Sequence, residues 1–301
     1  MKFKGSYVAI VTPMSDSGDI DFKKFVELLH YQKAGGSAGV VVCGTTGESP
    51  TVSVADQLKL FEVAVAELKS TSLQVIAGTG SNNTKKTVEM TQKAKELGVD
   101  GALIVTPYYN KPNFAGISAH YAEINKVGLP LILYNIPGRT GVNINPESIQ
   151  KLCQSYSQIK AVKASNGDLD QILETCARLA GTDVSVLSGD DGITLPIMAV
   201  GGVGVVSVFA NIAPKVMSTL VGGFLEGKHQ ESMELAQAIH KMCTLTLTLG
   251  PNPVPIKALM NHVGLKVGGP LLPLVALSKE DTQVIHQEYL GLQKKYSELL
   301  H

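Results

Sequence analysis

Along most of its length this chain repeats one unit, a short β-branched apolar run followed by a longer stretch of helical periodicity. The runs lie at 7–11, 39–43, 74–77, 102–105, 131–134, 159–162, 184–187 and 203–208. Several are apolar at consecutive positions, as expected of a parallel strand covered on both faces. Between them, 22–35 carries Phe22, Phe25, Val26, Leu28 and Leu29 at helical spacing and stops at a glycine. The stretches 56–69, 84–97, 117–126, 146–155 and 169–180 behave alike, and Asn83-Thr84 and Asn145-Pro146 supply helix starts. Alternating strands and helices joined by right-handed crossovers build a parallel sheet. Eight units without a break favour closure into a (β/α)₈ barrel, the α/β architecture called a TIM barrel. An open doubly wound sheet is the second choice, but the first strand-to-helix turn has no GxGxxG fingerprint.

After the eighth run the strand signal ends. The stretch 214–227 reads as the last barrel helix, and helical pattern then covers 229–247, 254–263 and 279–300. The expected division is a catalytic barrel over 1–227 and a C-terminal helical domain over 228–301. The proline-rich 250–255 is too short for a disordered linker and reads as an ordered turn.

Composition narrows the function. With 301 residues, 44% of them hydrophobic, the chain can fill one large core and a smaller appendage. Its 26 basic and 26 acidic residues cancel, so there is no basic footprint of a nucleic-acid binder, and a small molecule is the expected partner. Cys43, Cys153, Cys176 and Cys243 are scattered and form no CxxC pair, which argues against structural zinc and disulfides. The first apolar run meets a proline too early for a signal segment, and no stretch is long and apolar enough to span a bilayer. A cytoplasmic protein with no membrane partner is expected.

Chemistry in such a barrel gathers at the C-terminal ends of strands. Period-two alternation puts Ile159, Ala161 and Lys163 on one face of the sixth run, so Lys163 is expected to point inward near the catalytic end. Desolvating an ammonium is costly and favours the free amine, the form that attacks a carbonyl. The competing reading has Lys163 beyond the strand, reaching to water. Tyr109 and Tyr134 sit at strand ends, where their hydroxyls could join a proton relay with Thr45 or Thr46; they could equally be aromatic plugs. Arg139, in Pro-Gly-Arg-Thr-Gly, is either a carboxylate clamp or a solvated loop residue.

Other features read as structural. Gly44–Gly47 lacks the P-loop order, and the glycines at 201–204 precede the eighth run, where tight packing is expected. Asp190 and Asp191 point apart on a strand end and suit capping better than metal binding. The seven histidines show no ligand spacing, so no metal and no cofactor are expected.

Together, GTTGES at 44–49, VTPYYNKP at 105–112, YNIPGRTG at 134–141, the lysine of AVKAS and LSGDD at 187–191 resemble the dihydrodipicolinate synthase family. The likeness runs in order over essentially the whole chain and includes GPNPVPIK at 250–257. GTTGE alone is shared with N-acetylneuraminate lyase and sugar-acid aldolases; the double threonine combined with PGRTG is more specific. The resemblance implies condensation of pyruvate with L-aspartate 4-semialdehyde, in lysine and diaminopimelate biosynthesis, without a dissociable cofactor. It implies that Lys163 forms a Schiff base with pyruvate and that Tyr134, Thr45 and Tyr109 relay protons, Tyr109 entering from a neighbouring subunit. Thr46 and Gly189 would surround the pyruvate carboxylate with Thr45, Arg139 would hold the semialdehyde, and Val206 would contribute backbone near the lysine. A homotetramer built from two tight dimers is expected.

Two departures stand out. Ala164 follows the lysine where many members carry an acidic residue, and an outward direction makes it neutral for the chemistry. Lysine-inhibited members carry histidines and a glutamate where this chain has Val54, Gln57 and Lys86. An ammonium at Lys86 would repel lysine, so weak or absent feedback inhibition is expected. A pyruvate-dependent sugar-acid aldolase is the nearest rival, and a barrel that binds a small acid without turnover is a rival of another class.

Overall fold

The structure is a computed structural model that describes residues 2–300. Eight parallel strands close into a barrel in chain order, the eighth pairing with the first. They are β1 (Gly5–Ala9), β2 (Gly39–Val42), β3 (Gln74–Gly78), β4 (Gly101–Val105), β5 (Leu131–Asn135), β6 (Ile159–Ala164), β7 (Ser185–Ser188) and β8 (Gly204–Ser207). The closed sheet excludes the open doubly wound alternative. Around it lie α1 (Phe22–Ala34), α2 (Val54–Leu68), α3 (Thr84–Glu96), α4 (Phe114–Asn125), the single turn α5 (Pro137–Thr140), α6 (Pro146–Ser155), α7 (Leu169–Leu179), α8 (Thr194–Ala199) and α9 (Pro214–Leu225).

Helix starts follow the capping side chains. Asp21, Ser53, Asn83, Asn113, Asn145 and Asp168 each accept a backbone N–H from the first turn of the helix they precede. Each such cap stabilises its helix by about 1 kcal/mol. The Ser53 cap starts α2 earlier than the apolar pattern alone suggests. Short α8, between β7 and β8, has too few residues to show a helical period.

Strand alternation separates two apolar layers. Tyr7, Val41, Ile76, Leu103, Ile132, Ala161, Leu187 and Val206 fill the barrel. Val8, Val40, Val75, Ile104, Leu133, Val162 and Val205 face the helices. One expected direction fails: Ile159 lies in the outer layer, not the inner one. The cause is a register shift between β5 and β6, where Leu131 pairs with Ile159 but Ile132 pairs with Ala161, leaving Lys160 as the extra residue. Beyond that bulge the parity holds, so Ala161 and Lys163 face inward while Ala164 joins the outer layer.

The C-terminal helices are α10 (His229–Thr248), α11 (Val254–His262) and α12 (Lys279–Lys295), followed by a short 3₁₀ turn at Ser297–Leu299. The expected single helix over 279–300 therefore ends at Lys295. Ile239, Met242, Ile256, Leu259, Ile285 and Leu292 belong to the same apolar cluster as the barrel's outer layer. No described helix is long and apolar enough to cross a membrane.

Candidate active site

Lys163 is the centre of the barrel mouth. It lies within β6, in register with Tyr134 of β5, and only 5% of it is exposed. Its Nζ sits 4.2 Å from the centroid of the Tyr134 ring, the contact of a cation with a π face. The snorkelling alternative is thereby removed, because Nζ meets an aromatic wall inside the barrel. Gly189, one residue past β7, makes room for it: a Cβ there would lie 2.8 Å from Lys163 Cε and 1.7 Å from Ser165 Oγ.

A cavity of about 360 Å³ opens above Tyr134. Thr45, Tyr134 and Arg139 all line it. Arg139 is carried by α5, where Pro137 opens the turn and Gly141, at φ 69°, closes it. Thr140 Oγ1 donates to Ile136 O at 3.0 Å and accepts from Val142 N at 3.3 Å, which holds the turn rigid under the exposed guanidinium. Lys163, Thr46 and Val206 are not among the residues that line the cavity, and each is at most 5% exposed. Thr46 accepts a hydrogen bond from Asn252 Nδ2 at 2.9 Å, and Val206 belongs to the inner apolar layer.

Tyr109 is the exception. It is 90% exposed, holds φ 73° and takes no part in the lining of this chain's own cavity, whereas its neighbour Tyr108 does. The cavity also runs out to Val54, Gln57 and Lys86 on α2 and α3. Gln57 Nε2 donates to Ser49 O and Val52 O, both at 2.9 Å, so that side chain is committed to the loop after β2.

Two residues that hold this site carry no role in the sequence reading. Glu48 ends the GTTGE loop and is fully buried against Lys257 of α11, with 2.8 Å between Oε1 and Nζ. Lys257 also donates to Thr12 O and Gly269 O, and Glu48 Oε2 accepts from Leu271 N at 2.7 Å. Burial pushes the Lys257 ammonium below the usual lysine range, and Glu48 opposes that push. With the Asn252–Thr46 bond, this pair fastens the threonine loop to the C-terminal helices from two sides. The signal was present in the sequence as a lysine set inside the apolar run VPIKALM.

The aspartates after β7 serve backbone. Asp190 accepts from Gly192 N, and Asp191 Oδ2 accepts from Val208 N and Phe209 N at 2.9 Å, tying β7 to β8. Burial raises the Asp191 carboxyl above the usual carboxylate range. No group of three or more His, Cys, Asp or Glu side chains converges as a metal site among the described residues.

Fold and mouth together define a class: a closed (β/α)₈ barrel with an amine, a phenol, threonine hydroxyls and a guanidinium at its strand ends, suited to a small carbonyl acid. The model of the dihydrodipicolinate synthetase family matches residues 2–289, and the chain belongs to that family. It is 46% identical over 291 residues to the 4-hydroxy-tetrahydrodipicolinate synthase of Citrifermentans bemidjiense, covering 95% of this chain and 99% of that one. Among solved structures, it superposes with a TM-score of 0.92 on the Acinetobacter baumannii dihydrodipicolinate synthase complexed with pyruvate, at 35% identity over 95% of this chain and 98% of that one. The Cyanidioschyzon merolae enzyme with lysine bound matches equally, at TM-score 0.92 and 35% identity over 96% and 98% of the two chains.

Proposed function

We infer that this chain carries 4-hydroxy-tetrahydrodipicolinate synthase activity, joining pyruvate to L-aspartate 4-semialdehyde on the way to diaminopimelate and lysine. The observation that carries this reading is Lys163, buried on the inner face of β6 against Tyr134, in a chain 46% identical to a synthase of that name. Lys163 Nζ adds to the C2 carbonyl of pyruvate, and loss of water leaves the imine. Removal of a C3 proton gives the enamine, whose C3 attacks the aldehyde carbon of the acceptor while the aldehyde oxygen takes up a proton. The acceptor's amino group then displaces the lysine at C2 and closes the ring.

Tyr134 and Thr45 serve the proton transfers. Tyr109, turned outward here, completes the relay in a neighbouring subunit, which makes the dimer the catalytic unit and fits a tetramer of two such dimers. The pyruvate carboxylate sits among Thr45, Thr46 and Gly189, with the backbone at Val206 beside the lysine. Arg139, at the cavity rim, holds the acceptor carboxylate through paired hydrogen bonds. The enzyme works in the cytoplasm on free small molecules. With Lys86 on the cavity's outer arm and Gln57 occupied by backbone, added lysine inhibits it weakly or not at all.

A coupled assay tests the substrate assignment. The expected result is turnover with aspartate semialdehyde and none with N-acetylmannosamine; the reverse preference would replace this reading with a sugar-acid aldolase. Arg139→Ala should raise the half-saturating semialdehyde concentration by roughly 100-fold, the loss of a bidentate charged contact. Strong inhibition by sub-millimolar lysine would overturn the regulatory part.

A further inference from the structure

We propose that Ser165 is a further substrate-binding residue, its hydroxyl hydrogen-bonding the keto acid carried on Lys163. The inference rests on the imine reading of Lys163 given above. Ser165 follows Ala164, which faces the outer apolar layer, so strand alternation turns Ser165 to the same inner side as Lys163. The ladder continues past the end of β6 to hold it there. Ser165 N donates to Asn135 O at 3.0 Å, and Gly189 N donates to Ala164 O at 2.8 Å. Gly189 therefore lies alongside, and Ser165 Oγ takes up the space its missing side chain leaves, 1.7 Å from where a Cβ would stand, with Lys163 Cε 2.8 Å from the same point.

That hydroxyl is buried and has no hydrogen-bond partner among the described residues. A buried hydroxyl without an acceptor is destabilising, and an alanine would pack the same position without that penalty. Asn252 Oδ1 is also without a partner, but its side chain is already bonded through Nδ2 to Thr46. Ser165 has no such second tie. Its one unmet demand is an acceptor oxygen, and the nearest reactive group of the site is the end of Lys163. A keto acid attached to Nζ brings oxygens to that end of the lysine, on its carboxylate and on the tetrahedral adduct that precedes the imine. The serine thus selects for an oxygen-rich group next to the imine carbon, a preference that the apolar barrel interior below cannot supply.

Borohydride trapping titrated with pyruvate and read by mass spectrometry tests this on the full chain. In Ser165→Ala the pyruvate concentration for half-maximal trapping should rise about tenfold, the loss of one hydrogen bond to a charged acceptor. The half-saturating semialdehyde concentration at saturating pyruvate should move less than twofold, and Ser165→Thr should restore trapping. The melting temperature of Ser165→Ala without substrate should equal or exceed that of the parent chain. Unchanged trapping in Ser165→Ala, a shift confined to the semialdehyde, or a fall in melting temperature with normal trapping would each overturn the proposal. A parent chain that takes up no pyruvate on Lys163 would overturn the imine reading itself, a separate result.

Discussion

Replacing Lys257 by methionine removes the buried cation under the threonine loop while keeping most of the side-chain volume. The change strips Glu48 Oε1 of a partner at 2.8 Å and leaves the carbonyls of Thr12 and Gly269 without their shared donor. Both charged side chains are only 1% exposed, so water cannot take over. Breaking one side of such a buried pair costs about 3 to 5 kcal/mol. At the usual unfolding entropy per residue, a chain of 301 residues would lose about 5 to 8 °C in Tm. Glu48 must also protonate or move, and the loop that presents Thr45 and Thr46 moves with it, so kcat should fall more than 10-fold. The assay is thermal unfolding by circular dichroism beside steady-state kinetics. Pairing the change with Glu48→Gln removes the stranded charge and should return most of the lost stability, a coupling visible in the double-mutant cycle. If Lys257→Met melts within about 1 °C of the parent, or if the double variant is no more stable than the single one, the ion pair does not hold the loop.

Further outcomes follow from the same contacts. Gly189→Ala would place a methyl 2.8 Å from Lys163 Cε; it should abolish pyruvate trapping yet leave far-UV dichroism unchanged, and normal trapping would refute the crowding. His120 is buried against Thr84, with Nδ1 at 2.9 Å from Oγ1, and burial pushes its pKa down to about 4. The folded chain then refuses a proton that the unfolded chain binds below about pH 6.5, so stability should fall as pH drops from there toward 4, by up to roughly 3 kcal/mol. Urea midpoints across that window should flatten in His120→Gln, and an unchanged slope would refute the assignment.

How much of this was legible in the sequence depends on the range of each interaction. Most strands were legible because their runs are short, apolar and β-branched, several of them at consecutive positions, and most helices because a capping side chain precedes each apolar stripe. Lys163's inward direction was read correctly from alternation, yet Ile159's was not. A bulge at Lys160 depends on where β5 sits beside it, and alternation along one strand carries no such information. Glu48 and Lys257 stand 209 residues apart, and Asn252 and Thr46 stand 206 apart. Only the folded barrel brings those pairs together. Tyr109 shows the opposite limit, since its sequence motif points to the site while its side chain in one chain faces solvent.

The most direct test of the central claim is chemical trapping at one residue. Pyruvate and borohydride, followed by peptide mass spectrometry, should leave a single reduced adduct on Lys163, with none in Lys163→Ala. No adduct, or an adduct on any other lysine while Lys163 stays unmodified, would contradict it.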